Sequence, residues 1–448
     1  MASRPLRVEE LAEFLAFDFE AGPIPKFRED WRIEEPLEAV LSTCSTLLAL
    51  VNVNDSSVIQ FSHFSVKEFL TSTRFGEKND TISSRYHVPM TPAHTLVAQA
   101  CLGILLHLDE NVTKDSLKKF PLAEYAAEHW VQHARFQGVS GNVEEGMKQL
   151  FDGSKSHLAI WVWIYEPNWR QRLYPRAEKP SSPLGSPLHY AAFCGLYSIV
   201  KFLAIEHPQD VHSPGFDDES TPLHLASRMG HLEVARLLVE HGADVTVENQ
   251  YGRTPLHWAV QDGGVDVVRF LVEHGADVTV QDYDGSTPLH WAAREGSVDV
   301  ARLLVEHGAN VTVQDYDGWT PLHWAAREGS VDVARFLLER GADATVKDKY
   351  ESSPLHLAVL EGSVELARFL IEHGADATAK DEHRSTPLHL TVLEGNVDLA
   401  RLLVEHGADV NARDEDGWTP LYQAVQEGKE DLARWLVEHG AGRDRPEQ

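Results

Sequence analysis

Histidine is the residue type in this chain whose spacing most suggests chemistry. The chain has 24 histidines. In one set each histidine follows a Pro-Leu pair, and from the second member onward the spacing is 33 residues: His189, His224, His257, His290, His323, His356 and His389. A second set precedes a glycine: His241, His274, His307, His373, His406 and His439. Imidazole is a frequent metal ligand and general base, but those roles require side chains that converge on one point. Neither set offers such a cluster, so we predict structural roles for both and no metal site.

Other patterns that indicate catalysis are missing from the sequence. Cys44, Cys101 and Cys194 lie far apart without C-x-x-C spacing, which excludes the usual sequence pattern of a zinc site or a disulfide framework. The phosphate-binding pattern G-x-x-x-x-G-K-[ST] does not occur, and no nucleophile–base pairing stands out. We therefore expect a protein that is not an enzyme, with no catalytic or cofactor-binding residue and no cofactor.

The regularly spaced histidines belong to a repeat that occupies the C-terminal half of the chain. The tetrapeptide Thr-Pro-Leu-His or a variant begins at Thr221, Thr254, Thr287, Thr320, Ser353, Thr386 and Thr419, and a less regular copy begins at Ser186. A fixed period of this length is typical of a solenoid, in which each unit stacks on its neighbours.

One unit, residues 282–314, shows what each copy is expected to form. Thr287 is a natural helix N-cap, and Pro288 suits the first helical position, where its missing N–H is not needed. Apolar residues at helical spacing predict a second helix from Val298. The turn residues Asp315-Tyr316-Asp317-Gly318 then predict a projecting hairpin.

This pattern, TPLHWAA followed by GSVDVARLLVEHGAD, resembles the ankyrin repeat over residues 183–442. The resemblance implies a mainly α protein with about eight repeats. It also implies that the first set of histidines forms hydrogen bonds within and between repeats. In ankyrin proteins the concave face, made of the hairpin tips and the exposed ends of the first helices, binds protein partners, and we expect the same here.

Residues on that face which the fold does not dictate are the predicted partner-binding site. The windows 272–302 and 305–335 differ only at Asp277/Asn310 and Ser286/Trp319, and the second difference lies at the hairpin. Tyrosine and tryptophan often dominate binding energies. The predicted set is Tyr251, Tyr283, Asp284, Arg294, Glu295, Tyr316, Asp317, Trp319, Arg327, Glu328, Tyr350 and Trp418. Two interpretations of the tyrosines stay open, namely binding anchors and hairpin-to-hairpin packing. By contrast, Trp258, Trp291 and Trp324 are expected in the core.

The first 180 residues follow a different pattern. Helices are predicted over 8–16, 36–48 and 66–72, with two strands over 47–53 and 57–62, an arrangement that suggests a winged helix. Four further helices are predicted over 91–108, 121–135, 143–151 and 156–165. We predict a winged-helix-like domain over 1–85, a helical region over 86–175, a linker over 176–185 and ankyrin repeats over 186–442. The N-terminal helices are acidic and carry no basic stripe, so DNA binding is not expected.

The string QFSHFSVKEFL, from Gln60 to Leu70, carries a second resemblance. It is similar to the winged-helix segment of NACHT-type STAND proteins, and the order of regions resembles fungal NACHT–ankyrin proteins. In that family the histidine matching His63 can contact bound ADP. Because no NTPase motif precedes it, His63 is expected to be structural here. The leading hypothesis is a non-enzymatic protein-interaction scaffold. The alternative is a fragment of a NACHT-type nucleotide-driven signalling switch whose NTPase is missing or supplied in trans.

Charge and targeting signals narrow the partners and the compartment. The net charge is −29, and residues 181–448 carry 21 basic and 45 acidic side chains. Such a surface repels nucleic acid and anionic lipid, so neither is an expected partner. Two interpretations stay open: a solvated surface, and a preference for a protein partner with a basic segment. The N-terminus lacks the apolar stretch of a signal peptide, which predicts an intracellular, cytoplasmic protein.

Overall fold

A computed structural model describes residues 6–32, 48–53, 56–61, 90–165, 167 and 183–442 of the chain. The described residues are mostly helical, which confirms the predicted mainly α class. The chain divides into two units. Unit 1 comprises residues 1–217 and 233–243, and unit 2 comprises residues 218–232 and 244–448.

Unit 1 begins with short strands around one helix. The strands are β1 (Leu6–Arg7), β2 (Phe17–Asp18), β3 (Lys26–Phe27), β4 (Leu48–Val53) and β5 (Ser56–Phe61). The predicted hairpin is confirmed, because β4 and β5 pair antiparallel with Val53 opposite Ser56. β1 adds to the other edge of β5, and β2 pairs with β3. The winged helix itself stays a prediction, since the helices expected over 36–48 and 66–72, and His63, lie almost wholly outside the described residues.

The helix Val8–Phe14 is fixed to the helical region by a buried carboxylate. Glu13 accepts a hydrogen bond at Oε2 from the backbone N–H of Leu122, 2.6 Å away, at the N-terminus of the helix Leu122–Ala134. Its Oε1 pairs with Arg32 Nη2 at 2.9 Å. Burial raises the pKa of Glu13, against the opposing effects of these two bonds. The carboxylate therefore satisfies a helix N-terminus whose own N-cap residue, Pro121, provides no side-chain bond.

The predicted helical region is present and its helices lie close to their expected positions. They are Met90–His107, Lys114–Leu117, Leu122–Ala134, Ser140–Leu150 and His157–Ile164. Inside this region His133 Nδ1 lies 2.7 Å from His94 Nδ1 and His133 Nε2 lies 2.9 Å from the Tyr125 hydroxyl. Burial and the nearby His94 together lower the pKa of His133 to about 3, and burial also lowers the pKa of His94. Both rings are therefore neutral at physiological pH.

Five buried rings join the helical region to the first repeat within unit 1. Trp161 lies 5.3 Å from Trp130, 5.9 Å from Phe151 and 6.2 Å from Tyr190, measured between ring centroids. Tyr190 belongs to the first helix of the first repeat, and its ring lies 5.3 Å from that of Phe216. We call these five residues the aromatic cluster. The helical region thus covers the ring that the first repeat presents on this side.

Each repeat contains two short helices, as predicted. The first helices are Pro187–Phe193, Pro222–Arg228, Pro255–Trp258, Pro288–Arg294, Pro321–Arg327, Pro354–Leu360, Pro387–Glu394 and Pro420–Gln426. The second helices are Tyr197–Glu206, Leu232–Glu240, Val265–Glu273, Val298–Glu306, Val331–Glu339, Val364–Glu372, Val397–Glu405 and Glu430–Glu438. Every first helix starts at its proline, because the preceding Ser or Thr takes the extended N-cap conformation.

The first set of histidines has the predicted structural role. In one repeat the backbone N–H of Thr287 donates to His290 Nδ1 at 3.0 Å, and His290 Nε2 donates to the carbonyl of Trp319 in the next repeat at 3.1 Å. Because Nδ1 accepts a backbone N–H, the proton of the neutral ring lies on Nε2. In the second set, His307 Nδ1 donates to the Leu303 carbonyl at the end of its own helix, 2.8 Å away.

The projecting segments are tight turns rather than the paired strands of a β-hairpin. Asp315 Oδ1 accepts the backbone N–H groups of Asp317 and Trp319, each at 2.9 Å, which closes the turn without a strand ladder. Successive turns are joined by backbone bonds, as where Tyr316 N–H donates to the Asp284 carbonyl at 3.0 Å. The turns therefore form a continuous edge along unit 2.

One turn position requires a left-handed backbone, and this leads to a stability prediction. Gly285 and Gly318 occupy it with φ of 79° and 80°, whereas Arg384 occupies it with φ of 60°. A side chain in this region is strained, so Arg384→Gly is expected to raise the free energy of unfolding by about 0.5–1 kcal/mol. The counterpart Gly285→Ala is expected to lower it, because the new Cβ lies 2.7 Å from the Tyr316 ring. Urea titrations followed by circular dichroism test both, and a destabilised Arg384→Gly variant contradicts the argument.

Candidate protein-binding surface

The turn tips and the exposed ends of the first helices in unit 2 form the surface that corresponds to the concave face of ankyrin proteins, and we keep that name. Of the twelve predicted partner-binding residues, eleven are exposed: Tyr251, Tyr283, Asp284, Arg294, Glu295, Tyr316, Asp317, Arg327, Glu328, Tyr350 and Trp418. The twelfth, Trp319, is half-buried. Their role in binding stays a prediction, but a partner has access to almost all of them.

The tyrosines combine the two interpretations left open by the sequence. The Tyr283 ring lies so close to Gly252, and the Tyr316 ring so close to Gly285, that a Cβ on either glycine would overlap the ring. Each ring therefore lies directly on the glycine of the preceding turn. The opposite sides remain open, since Tyr283 is 65% and Tyr316 is 71% exposed. Packing orients these rings and leaves most of their surface free for contact.

Trp319 differs from the other predicted residues because it is held within the protein. Its Nε1 donates to Asp348 Oδ2 in the next repeat at 2.9 Å, and its ring lies 4.7 Å from that of Trp324. Arg327 stacks on it at 5.3 Å. Substituting Trp319 would therefore disturb contacts between repeats, and it is a poor choice for testing partner contacts alone.

The tryptophans expected in the core are partly there. Trp258 and Trp291 are buried, as predicted, but Trp324 is only half-buried. Arginine side chains cover these rings: Arg228 lies 4.9 Å from Trp258, and Arg294 lies 5.2 Å from Trp291 and 5.1 Å from Trp324. The concave face in these repeats is thus built from stacked guanidinium groups and indoles.

Arg253, a turn residue next to the twelve predicted positions, connects two repeats. Its Nε lies 3.1 Å from Asp282 Oδ2, and its Nη2 lies 3.5 Å from Asp284 Oδ2. The same guanidinium lies 4.5 Å from the Trp291 ring. Arg253 stands directly before an N-cap, where the other repeats from Thr221 onward have Ser or Trp.

An open cleft of about 300 Å³ lies one repeat further along. Ser286 belongs to its lining, together with residues of the turn tips and the first helices. The lining also includes Arg253, Tyr283, Trp291, Arg294, Asp315, Tyr316, Asp317 and Trp324. Aromatic rings and carboxylates therefore meet in one concave site, which we call the Ser286 cleft.

Carboxylates crowd the ends of the first helices beside this cleft. Burial raises the pKa of Glu295, and the neighbouring Asp262 and Glu328 raise it further against the opposing effect of Arg294. Like charges placed this close destabilise one another, and a cationic partner would relieve that repulsion.

Comparison with known proteins identifies the repeats. A family model described as ankyrin repeats in three copies matches residues 188–282, 279–348, 318–381 and 355–445. The chain belongs to the ankyrin-repeat family. Ankyrin repeats are in general non-catalytic modules for protein interaction, so the identification agrees with the expected class of function.

The relatives of this ankyrin-repeat protein extend the match only in part. Azaphilone pigments biosynthesis cluster protein L of Monascus ruber is 30% identical over 259 residues, which is 54% of either chain. Palmitoyltransferase ZDHHC13 of Homo sapiens is 44% identical over 69 residues, 15% of this chain and 11% of that one. Alpha-latrocrustotoxin-Lt1a of Latrodectus tredecimguttatus is 40% identical over 62 residues, 14% and 4% of the two chains. The chain thus spans about half the length of the Monascus relative.

Two further points concern membrane-spanning helices and the segment around His63. Among the described residues, none of the helices is both long enough and apolar enough to cross a membrane. The resemblance to NACHT–ankyrin proteins stays a prediction, because His63 and most of its motif lie outside the described residues.

Proposed function

We propose that this protein is a recognition scaffold that binds a protein partner, through a basic segment, on the concave face of its middle ankyrin repeats. The observation that carries the proposal is the row of exposed, oriented tyrosines beside an open cleft on an acidic surface. Tyr283 and Tyr316 expose most of their rings while resting on the glycines of the preceding turns. Rigid aromatic side chains bind well because little conformational entropy is lost when they are covered.

Charge supports a basic partner segment. The formal charge of residues 181–448 is strongly negative, with 45 acidic against 21 basic side chains. On the concave face itself the exposed Asp284, Glu295, Asp317 and Glu328 outnumber the exposed Arg294 and Arg327. A basic segment would be steered to this face, and the steering would weaken as salt shortens the Debye length.

The test begins with the full-length protein as bait in a lysate of its source organism, followed by affinity measurements on each captured protein. The double substitution Tyr283→Ala with Tyr316→Ala is expected to weaken binding by about 2 kcal/mol or more, roughly thirtyfold. The reason is that both rings offer large open faces and lie in successive turns. Trp319 is left intact because it is bonded between repeats.

A matched control is Tyr197→Ala, which removes a tyrosine that is 46% exposed at the start of a second helix, away from any turn tip. It is expected to leave affinity unchanged. Circular dichroism verifies that both variants remain folded. Undiminished affinity in the folded double variant would rule out this part of the concave face as the binding surface. Association that is no slower in high salt would rule out the basic segment.

A further inference from the structure

The Ser286 cleft lies at a position that the two adjacent repeats fill with a large side chain of their own. The residue before the N-cap is Arg253 in the preceding repeat and Trp319 in the following one. Each reaches the turn of the next repeat, where Arg253 Nε lies 3.1 Å from Asp282 and Trp319 Nε1 lies 2.9 Å from Asp348. Ser286 is too short to span this distance. The cleft is therefore the space that a serine leaves unfilled between two repeats.

The groups facing this space match those around Arg253. Arg253 contacts Asp282, Asp284 and Trp291 of the next repeat. One repeat length later in the sequence, the corresponding residues are Asp315, Asp317 and Trp324, and all three line the cleft. In the sequence from Thr254 onward, both aspartates and the tryptophan occur together in two repeats. One is the repeat that Arg253 contacts, and the other is the repeat that lines the cleft.

We propose that the Ser286 cleft binds one arginine side chain of the partner's basic segment, in the position that Arg253 takes one repeat earlier. This proposal rests on the proposed function and assigns its site. The planar guanidinium would stack on Trp324 and donate hydrogen bonds to Asp315 and Asp317. The Tyr283 and Tyr316 rings would flank its aliphatic stem.

Arginine fits this site better than lysine. Its fork of N–H donors can serve two carboxylates at once while its flat face covers an indole, and an ammonium group cannot do both. Arg253 demonstrates the geometry in this protein, with two aspartates and the Trp291 ring around one guanidinium.

Two positive groups, Arg253 and Arg294, already line the cleft, and Arg294 is the one that lies against Trp324. Its guanidinium is 5.1 Å from the Trp324 ring. The repeat before provides a direct comparison, since Trp291 carries Arg253 at 4.5 Å and Arg294 at 5.2 Å together. One indole in this protein therefore accommodates two guanidinium groups when aspartates are close by. In the cleft Asp315 and Asp317 serve the same purpose; Asp317 Oδ1 already pairs with Lys349, which leaves its Oδ2 for the arginine.

The probe is the pentapeptide Gly-Gly-Arg-Gly-Gly, acetylated and amidated, titrated at low salt into the full-length protein labelled with ¹⁵N-tryptophan. We expect the Trp324 indole signal to shift with a dissociation constant on the order of a millimolar, as suits a single side chain. Peptides with citrulline or lysine in place of arginine are expected to bind at least about fivefold more weakly, because citrulline lacks the charge and lysine lacks the planar fork.

Two substitutions separate this site from the rest of the face. Ser286→Arg supplies a guanidinium from within the chain and is expected to weaken peptide binding at least about tenfold. Ser352→Arg is the matched control, because the following repeat has Leu390 where Trp324 stands, and it should leave binding unchanged. The Trp324 signal is assigned with Trp324→Leu, a residue that Leu357 and Leu390 show to be compatible with the repeat.

Equal binding of the arginine and citrulline peptides, equal binding of the lysine peptide, or unchanged binding to Ser286→Arg would each overturn the proposal. These outcomes are distinct from failure of the proposed function. A captured partner that requires Tyr283 and Tyr316 but tolerates Ser286→Arg would leave the scaffold function standing without the arginine site. A partner insensitive to the tyrosines, together with a positive peptide titration, would give the reverse.

Discussion

Trp161→Ala is expected to lower the free energy of unfolding by about 3–5 kcal/mol, the largest effect of any single substitution considered for this protein. Trp161 is 1% exposed at the centre of the aromatic cluster, where it contacts Trp130, Phe151 and Tyr190. Its Nε1 also donates to the Ala127 carbonyl at 2.8 Å. The substitution would therefore leave a cavity and an unpaired buried carbonyl at the contact between the helical region and the first repeat.

Urea titrations followed by circular dichroism and tryptophan fluorescence measure this effect. Trp161→Phe keeps a ring but removes the hydrogen bond, so an intermediate loss is expected. Trp31→Ala is the matched control, because that indole is 45% exposed and should change stability by less than about 1 kcal/mol. A loss in Trp161→Ala no larger than that of the control would mean that the cluster does not hold unit 1 together.

Acid is expected to destabilise this protein well above the pH at which carboxylates are protonated. Burial lowers the pKa of His257 and of His323 to about 4, and the pKa values of His290, His356 and His389 are lowered for the same reason. The unfolded chain takes up protons on these rings near pH 6.5, whereas the folded repeats do not. Stability should therefore fall as the pH drops from about 6.5 towards about 4. At pH 5, His257 and His323 would each lower the free energy of unfolding by roughly 2 kcal/mol.

The structural reason for this direction is the hydrogen-bonding of each ring. A proton on Nδ1 of His323 would face the backbone N–H of Thr320, which donates to that nitrogen at 3.1 Å. His323→Gln is therefore expected to flatten the dependence of unfolding free energy on pH between 4 and 6.5. The control is His383→Gln, because Glu415 raises the pKa of this exposed ring. Its removal should not flatten the acid limb. A stability that is constant from pH 7 to pH 5 would contradict the whole argument.

Much of the repeat could be predicted from the sequence because its determinants are local. An N-cap threonine or serine, a proline at the first helical position and a glycine after most of the helices lie within a few residues of the structure they specify. Helices such as Pro288–Arg294 begin where expected. The hydrogen-bonding role of the first histidine set was implied by the resemblance to the ankyrin repeat. Exposure of the turn tyrosines followed from their place in polar turns.

The remaining features depend on residues that are distant in the sequence. The bond from Leu122 to Glu13 spans 109 residues, and no local pattern relates the two. The contact of Trp161 with Tyr190 crosses the segment predicted as a linker. The Ser286 cleft was harder still to predict from the sequence, because it depends on a short side chain at Ser286 and on groups from the next repeat. The difference between Ser286 and Trp319 was visible in the sequence. That it leaves a cleft could be seen only from the packing of the neighbouring repeats.

The histidine bonds give the array of repeats a direction. His290 reaches forward to the carbonyl of Trp319, while its own N-cap bond stays within the repeat. If one repeat opens, the histidine of its N-terminal neighbour loses an acceptor, whereas the repeat on the C-terminal side keeps its own imidazole contacts. Fraying should thus pass more readily towards the N-terminus than away from it. Hydrogen exchange at the imidazole N–H groups would show this as protection that depends on the following repeat rather than the preceding one.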